Sequence, residues 1–537
     1  MEGVARIEPI SSHAFPRNFK IGLLGPLLVY VILAIPIGLA TRERFNSDGV
    51  CYLHRAILLA HGDFFNSVSG YWSPALSWSV VPLLWLGADP LHAIHLALLI
   101  WGAAFVAAAQ LFLRWIVPTR PTWVLVAGIP IALTAVHLAT PLITPDVVLG
   151  ALLLLYLYFT PRRPGVAGLV AGLAYLAKAY ALPFFLVHFL MTVLVRRLGW
   201  RSLVLGYLAF ALVAGPWIGL LSWKYGRFTF STAATRNRFM QDMAPRDVRL
   251  HPPDVSRVPA GPFFTNMEVT DSDAWPAWSP LESAEHFKHQ IQIAIEHLGK
   301  LAADVWRFDY VGLALIACLL AVLSRQRDSM WLLLTACIYA GGLLFVVYET
   351  RYVLPILLPI ALALSLKMAD KWEPRFFPFI IAICFAGSAG WGIYSAVSAP
   401  HPNLSDRQIA RSIADARLGG LFASNTANRD RASCVAFFLN QKFIALPLDL
   451  DPAILQSKLD ADGVVFLYRW FDSNEANDAE WPEPQVRLLL RDRQWVKQLT
   501  IHLDSRHRLD IYRRAAPKSP STTSALPINS PPVQPAT

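Results

Sequence analysis

The sequence predicts a mainly α-helical polytopic membrane protein, with amphipathic helices on its outer face and a small C-terminal α/β soluble domain. Three observations predict it. The 537-residue chain is 55% hydrophobic and only 16% charged, whereas soluble domains carry about 25% charged residues. Several apolar runs reach the roughly 18–20 residues that cross a bilayer as a helix. From about residue 399 onward the composition turns to that of a soluble domain. The net charge of +10 does not indicate nucleic acid, because Arg and Lys fall mostly in short loops between apolar runs, where they set topology and meet anionic lipid.

Taken in order, Ile21–Ala40 is long enough to span and reads as an uncleaved anchor behind a cytoplasmic N-terminus (1–20). Arg17, Lys20 and Gly38-Leu39-Ala40 would also fit a signal peptide. Thr41–Ser73 reads as a loop of mixed charge with many aromatics. Pro74–Gly87, about 14 residues, is short for a span. His92–Ile116, Trp123–Ala139 and Val147–Phe159 follow as spans. Gly165–Val195, interrupted by Lys178 and Pro183, is too long for one crossing and reads as two. Ser202–Trp223 spans again before the polar, Pro- and Trp-rich loop Lys224–Asp309. Tyr310–Leu323, Met330–Val347, Val353–Leu366 and Phe376–Val397 complete the membrane part (21–398).

Basic clusters decide the topology. Arg17/Lys20, Arg114/Arg120, Arg162/Arg163, Arg196/Arg197/Arg201, Arg325/Arg327 and Lys367/Lys371/Arg375 are all cytoplasmic only if Pro74–Gly87 lies on the outer face as an interfacial or re-entrant helix. The count becomes about 11 spans, with the outer loops 41–91 and 224–309 and the C-terminal domain on one side. That domain (399–515) alternates helices (Asp406–Arg417, Arg431–Gln441) with strands (Leu421–Ser424, Phe443–Leu446, Gly463–Tyr468) and ends in a strand pair (Trp495–Leu503, Arg508–Arg513). It lacks GxGxxG and P-loop patterns, which argues against nucleotide binding. The Pro/Ser/Thr-rich tail (516–537) reads as disordered.

Four residues could carry chemistry. Asp48 follows the first span directly, an unusual place for a carboxylate. Asp146 opens a span after Pro145, where an acid also suits a helix N-terminus. Two carboxylates on one face could bind a divalent cation (Mg, Mn or Zn) through oxygen ligands, or one could act as a base. Lys178 lies inside an apolar run, where a charge needs water, a partner or an anion. Arg351, in Tyr348-Glu349-Thr350-Arg351-Tyr352, goes against the outer-face charge bias, and its fork suits phosphate or a pair with Glu349. Tyr71, Trp72, Trp78 and Trp85 fit an interfacial aromatic belt or a carbohydrate-stacking surface. His54, His61 and His137 show no ligand spacing. The cysteines show none either, and nothing in their spacing argues for a Cys51–Cys434 disulfide.

With those residues in place, the chain resembles the GT-C superfamily of polyprenyl-phosphate-sugar-dependent glycosyltransferases. Within it the likeness is to the branch of aminoarabinose-lipid A transferases, protein mannosyltransferase-like enzymes and rhizobial lipopolysaccharide galacturonosyltransferases. The resemblance covers roughly Ile21–Leu366. It rests on Asp48 and Tyr52 after the first span, the outer helix opened by Ser73-Pro74-Ala75-Leu76, and Asp146. The stretch from Gly168-Leu169-Val170-Ala171-Gly172 to Lys178 and Arg351-Tyr352-Val353-Leu354-Pro355 add to it. The family often has Asp-Glu where this chain has Asp48-Gly49, and a basic residue where this chain has Trp72. The resemblance implies an inverting transfer from a lipid-phosphate sugar to an envelope lipid or glycan acceptor, at the periplasmic face of a bacterial inner membrane. Asp48 and Asp146 would be the catalytic acids or metal ligands. Lys178, Arg351 and Tyr352 would bind the donor phosphate, and Tyr52, Tyr71 and Trp72 would line the substrate site. Two other classes remain: a flippase for lipid-linked sugars, which would favour internal repeats and midplane charges, and a non-catalytic envelope-assembly protein.

Overall fold

The computed structural model describes residues 17–241, 257–269, 278–307, 327–372, 375, 377–398, 405–424, 429–446, 452–472, 490, 494–503 and 507–515. Its membrane part opens with α1 (Arg17–Thr41), α2 (Ser47–Ala60), α3 (Phe64–Ser67) and α4 (Ala75–Trp85). It continues through α5 (Pro90–Ile116), α6 (Pro121–Ala139), α7 (Asp146–Phe159), α8 (Pro164–Ala177), α9 (Ala181–Arg196) and α10 (Trp200–Tyr225). Beyond the short α11 (Ala233–Phe239) lie the helices Ala284–Arg307, Arg327–Leu344, Thr350–Trp372 and Phe377–Ser398. The stretches Leu24–Thr41, Pro90–Ile116, Pro121–Ala139, Trp200–Tyr225 and Thr350–Asp370 are long and apolar enough to cross a membrane. The apolar helices α4, α7, α8 and α9 are shorter. The expected span Tyr310–Leu323 lies outside the described residues.

Gly165–Val195 does form two helices, broken at Lys178, whose extended backbone (φ −156°, ψ 126°) ends α8. Small residues let α8 lie against α10. A Cβ on Gly168 would stand 2.1 Å from the Gly206 carbonyl oxygen, and one on Gly172 2.7 Å from Val213 Cβ. Gly168 and Gly172 thus make the small-xxx-small seam by which membrane helices approach closely. Gly168→Ala is expected to cost about 1–3 kcal/mol, since backbone rather than a pliable side chain must yield. A lowered melting temperature of the purified protein in detergent would show it; an unchanged one would mean that the seam opens freely.

Two expectations are corrected. Lys224–Asp309 is not a plain loop, since it holds the helices Ala233–Phe239 and Ala284–Arg307. Thr41–Ser73 is not simply a loop, because α2 occupies its centre. Val50, Cys51, Leu53, His54, Ala56 and Leu58 of α2 are buried. The polar members of that face find partners from far along the chain, so the helix does not read as amphipathic.

Among the described residues, the C-terminal domain holds five strands: β1 (Phe422–Ser424), β2 (Phe443–Ala445), β3 (Phe466–Asp472), β4 (Trp495–His502) and β5 (His507–Arg514). They form one sheet of order β2-β1-β3-β5-β4. The first three are parallel, and β5 runs antiparallel between β3 and β4. The helices Asp406–Asp415 and Arg429–Leu439 are joined by Pro452–Ala461, which the sequence reading lacks.

This domain sits directly on the membrane part. Phe437 and Phe438 pack on Phe45, with centroids 5.2 and 5.3 Å apart, and Arg407 donates to Asp89 at 2.9 Å. Residues 257–269 strap the two parts together. Glu268 is fully buried against His54 of α2, and its Oε2 accepts from the backbone N–H of Phe264 (2.8 Å) and Thr265 (3.1 Å). At the other side of the strap, the Phe264 carbonyl accepts from the N–H of Phe443 in β2 at 2.9 Å.

Candidate active site

Asp48 stands in the first turn of α2 and Asp146 in the first turn of α7. Asn46 brings the two helix starts together. Its Oδ1 accepts from the Ile143 N–H at 3.0 Å, and its Nδ2 donates to the Ile143 carbonyl at 3.4 Å. Gly49 makes room for that approach: a Cβ there would lie 3.0 Å from Ile143 Cδ1 and 3.1 Å from Asn46 Oδ1. A side chain at this position, where the resembling family often carries Glu, would press on Ile143 and Asn46, which would have to give by a few tenths of an ångström.

Lys178 reaches the acids from the break between α8 and α9. Its Nζ donates to Asp146 Oδ1 at 2.8 Å and lies 3.1 Å from the Tyr352 ring centroid. Arg351, at the start of the helix Thr350–Trp372, donates from Nη2 to Asp48 Oδ2 at 3.3 Å. Its Nε lies 3.8 Å from Asp146 Oδ2. Arg351 is thus bound to the two acids, not to Glu349 in a surface pair. Asp146 is 1% exposed, whereas Asp48 and Arg351 keep 26% and 27% of their side chains open to the cavity. Burial raises the Asp48 carboxyl above its usual range; Arg351 opposes the rise, while Asp146 and Asp430 add to it.

Around these charges lies a cavity of about 290 Å³. Tyr52, Tyr71, Trp72 and Tyr352 give it an aromatic wall, and Pro183, Leu343, Val346 and Val347 an apolar side. Tyr52 and Trp72 meet edge to face at 5.2 Å, and Trp72 Nε1 donates to the Met267 carbonyl at 3.0 Å. All eight residues singled out from the sequence (Asp48, Tyr52, Tyr71, Trp72, Asp146, Lys178, Arg351 and Tyr352) line this one cavity. The aromatic group divides, however: Trp78 and Trp85 are 40% and 70% exposed and lie outside it.

The loop Lys224–Asp309, read from the sequence as lying on the same face as the acids, adds Phe230, Ser231, Ala233, Ala234 and Asn237 to the lining. Of the Trp- and Pro-rich part of the same loop, Trp275 and Pro276 lie outside the described residues, and Trp278 donates to the Arg238 carbonyl at 2.6 Å and does not line the cavity. From the C-terminal domain, Asp430 and Arg429 come close enough to Asp48 to act on it electrostatically. Asn46, Gly49 and these two give no sequence signal, because their meaning depends on what the fold sets beside them.

Asp48 and Asp146 are the donors a divalent cation would use, but the pair fits a resident metal poorly. Asp146 is already neutralised by Lys178, and Arg351 stands against both carboxylates. Among the described residues no three of His, Cys, Asp and Glu converge on one point. His54 is taken up by Glu268 and stacks on Phe264.

No protein-family model and no curated protein sequence matches the chain. Solved structures do match it. ArnT from Cupriavidus metallidurans in the apo state aligns with TM-score 0.52 at 13% identity, over 91% of this chain and 98% of that one. The oligosaccharyltransferase of Archaeoglobus fulgidus in the apo form aligns with TM-score 0.53 at 13% identity, over 90% of this chain and 73% of that one. The chain has the GT-C fold. A third match is ArnT bound to undecaprenyl phosphate (TM-score 0.50, 13% identity, 92% of this chain and 98% of that one). Because each likeness spans both the helical part and the C-terminal sheet, the GT-C fold here includes the domain that rests on α2.

Proposed function

We propose that this protein is a membrane glycosyltransferase that moves a sugar from a polyprenyl phosphate to a lipid or glycan acceptor of the bacterial envelope, with inversion, at the periplasmic face of the inner membrane. The observation that carries the reading is the meeting of two acids and two cations in one aromatic-lined cavity. The matched ArnT structure with bound undecaprenyl phosphate supports a lipid-phosphate donor.

In this reading the acceptor hydroxyl or amine gives its proton to the carboxylate of Asp48. The acceptor atom forms a bond to the anomeric carbon from the side opposite the phosphate. The bond between that carbon and the phosphate oxygen breaks with its electron pair. Polyprenyl phosphate leaves as a monoester, and Lys178 and Arg351, both beside Tyr352, stabilise the charge it gains. Asp146 holds both cations in place. Its burial and its pairing with Lys178 suit a positioning role better than that of a second base. Tyr71, Trp72 and Tyr52 line the part of the cavity that would take the sugar, and the apolar side receives the first prenyl units. No step runs through a metal.

The test is to incubate the purified full chain with polyprenyl-phosphate sugars and envelope glycolipids, and to follow release of polyprenyl phosphate and the anomeric configuration of the product. Inverted product supports the reading; no turnover with any polyprenyl-phosphate sugar overturns it. The pH profile adds a check on the base. Asp48 works ionised, so a carboxyl raised by burial should place the acid limb of kcat/KM above the range of about 4 usual for carboxylates. Turnover is then lost as pH falls through that raised value. A limb centred near 4, or none, would argue against Asp48 as the base.

A further inference from the structure

Three contacts in the charge cluster differ in quality. Lys178 Nζ meets Asp146 Oδ1 at 2.8 Å, within the usual range of about 2.7–2.9 Å for an ammonium–carboxylate bond. Arg351 Nη2 meets Asp48 Oδ2 only at 3.3 Å, and Arg351 Nε stands 3.8 Å from Asp146 Oδ2. That last oxygen is buried and accepts no hydrogen bond among the described residues. Asp146 is therefore firmly committed to Lys178. Asp48 is held by one stretched contact, with both its members open to the cavity.

We infer that Arg351 changes partners during the cycle: without donor its guanidinium occupies Asp48, and the arriving lipid phosphate takes over that guanidinium and frees Asp48 to act as a base. The inference rests on the glycosyltransferase reading and adds an order of events to it. A phosphate offers two oxygens to the planar fork of Arg, a better match than the single long contact to Asp48. Arg351 Nε keeps facing Asp146 Oδ2, so the fork can pivot on Asp146 while Nη2 leaves Asp48. Tyr352 sets the span of the new site, because Lys178 Nζ lies 3.1 Å from its ring centroid and the Arg351 guanidinium carbon 5.4 Å from it. Both cations also stand against the one Asp146 carboxylate, Lys178 Nζ at 2.8 Å from Oδ1 and Arg351 Nε at 3.8 Å from Oδ2, so a single phosphate can meet both. The consequence is that donor binding and base release are one event, which keeps Asp48 neutralised until a sugar is present to be transferred.

A plain catalytic role and this exchange predict opposite effects on affinity. If Asp48 competes with phosphate for Arg351, removing its charge should strengthen phosphate binding. The experiment titrates a sugar-free polyprenyl monophosphate, in detergent micelles, into the purified full chain and its Asp48→Asn and Asp48→Ser variants, and reads affinity by calorimetry. Both variants are expected to bind about tenfold tighter than wild type, the size of one competing charge-assisted contact, with saturation reporting an intact pocket. Unchanged or weaker binding in both variants, with wild type binding, overturns the exchange and leaves the glycosyltransferase reading standing. Failure of wild type itself to bind polyprenyl monophosphate overturns both.

Discussion

Asp48→Asn is expected to lower turnover by about 10²–10⁴-fold, the usual contribution of a positioned general base. The amide is isosteric and keeps an oxygen facing Arg351, so α2 and its packing should be unchanged. What is lost is the proton acceptor beside the one part of the charge cluster that stays open to ligand. Steady-state kinetics with a polyprenyl-phosphate sugar measure it. A loss of less than about tenfold would show that the base is elsewhere.

Lys178→Met is expected to damage both stability and rate. The carboxylate of Asp146 is 1% exposed and has its close ion pair with Lys178. Removing Lys178 leaves Asp146 only the looser contact to Arg351 at 3.8 Å, at a cost approaching the roughly 3–5 kcal/mol of a broken buried pair. It also removes a cation from the leaving phosphate, a loss of about 10²–10³-fold by analogy with oxyanion-stabilising donors. The double variant Lys178→Met/Asp146→Asn separates the two effects. With the buried charge gone, thermal stability should largely return, while turnover should not. If turnover returned together with stability, Lys178 would be structural only.

Much of this arrangement was legible in the sequence, for identifiable reasons. Long apolar runs mark the membrane helices, and strong turn residues divide the C-terminal strands. Lys178 and Arg351 stood out because charge is costly beside apolar spans. What remained hidden depends on partners remote in the chain. The ion pairs at the site illustrate this: Lys178 lies 32 positions from Asp146 and Arg351 lies 303 from Asp48. The two acids can be picked out along the chain, but not which cation the fold sets beside each. Helix α2 was missed for the same reason. His54 and Arg55 interrupt its apolar pattern, and Glu268, more than 200 residues later, answers both: its side chain meets His54 and its backbone carbonyl accepts from Arg55 at 2.6 Å.

The strap of residues 257–269 ties the C-terminal domain to the helix at the candidate site. Its Glu268 end lies against the helix that carries Asp48, and its Phe264 end against the edge of the sheet. Lifting the soluble portion away would draw a buried carboxylate out from beneath His54 and Arg55 and loosen the footing of the helix itself. A shift of the C-terminal domain would therefore pull on the helix that carries Asp48.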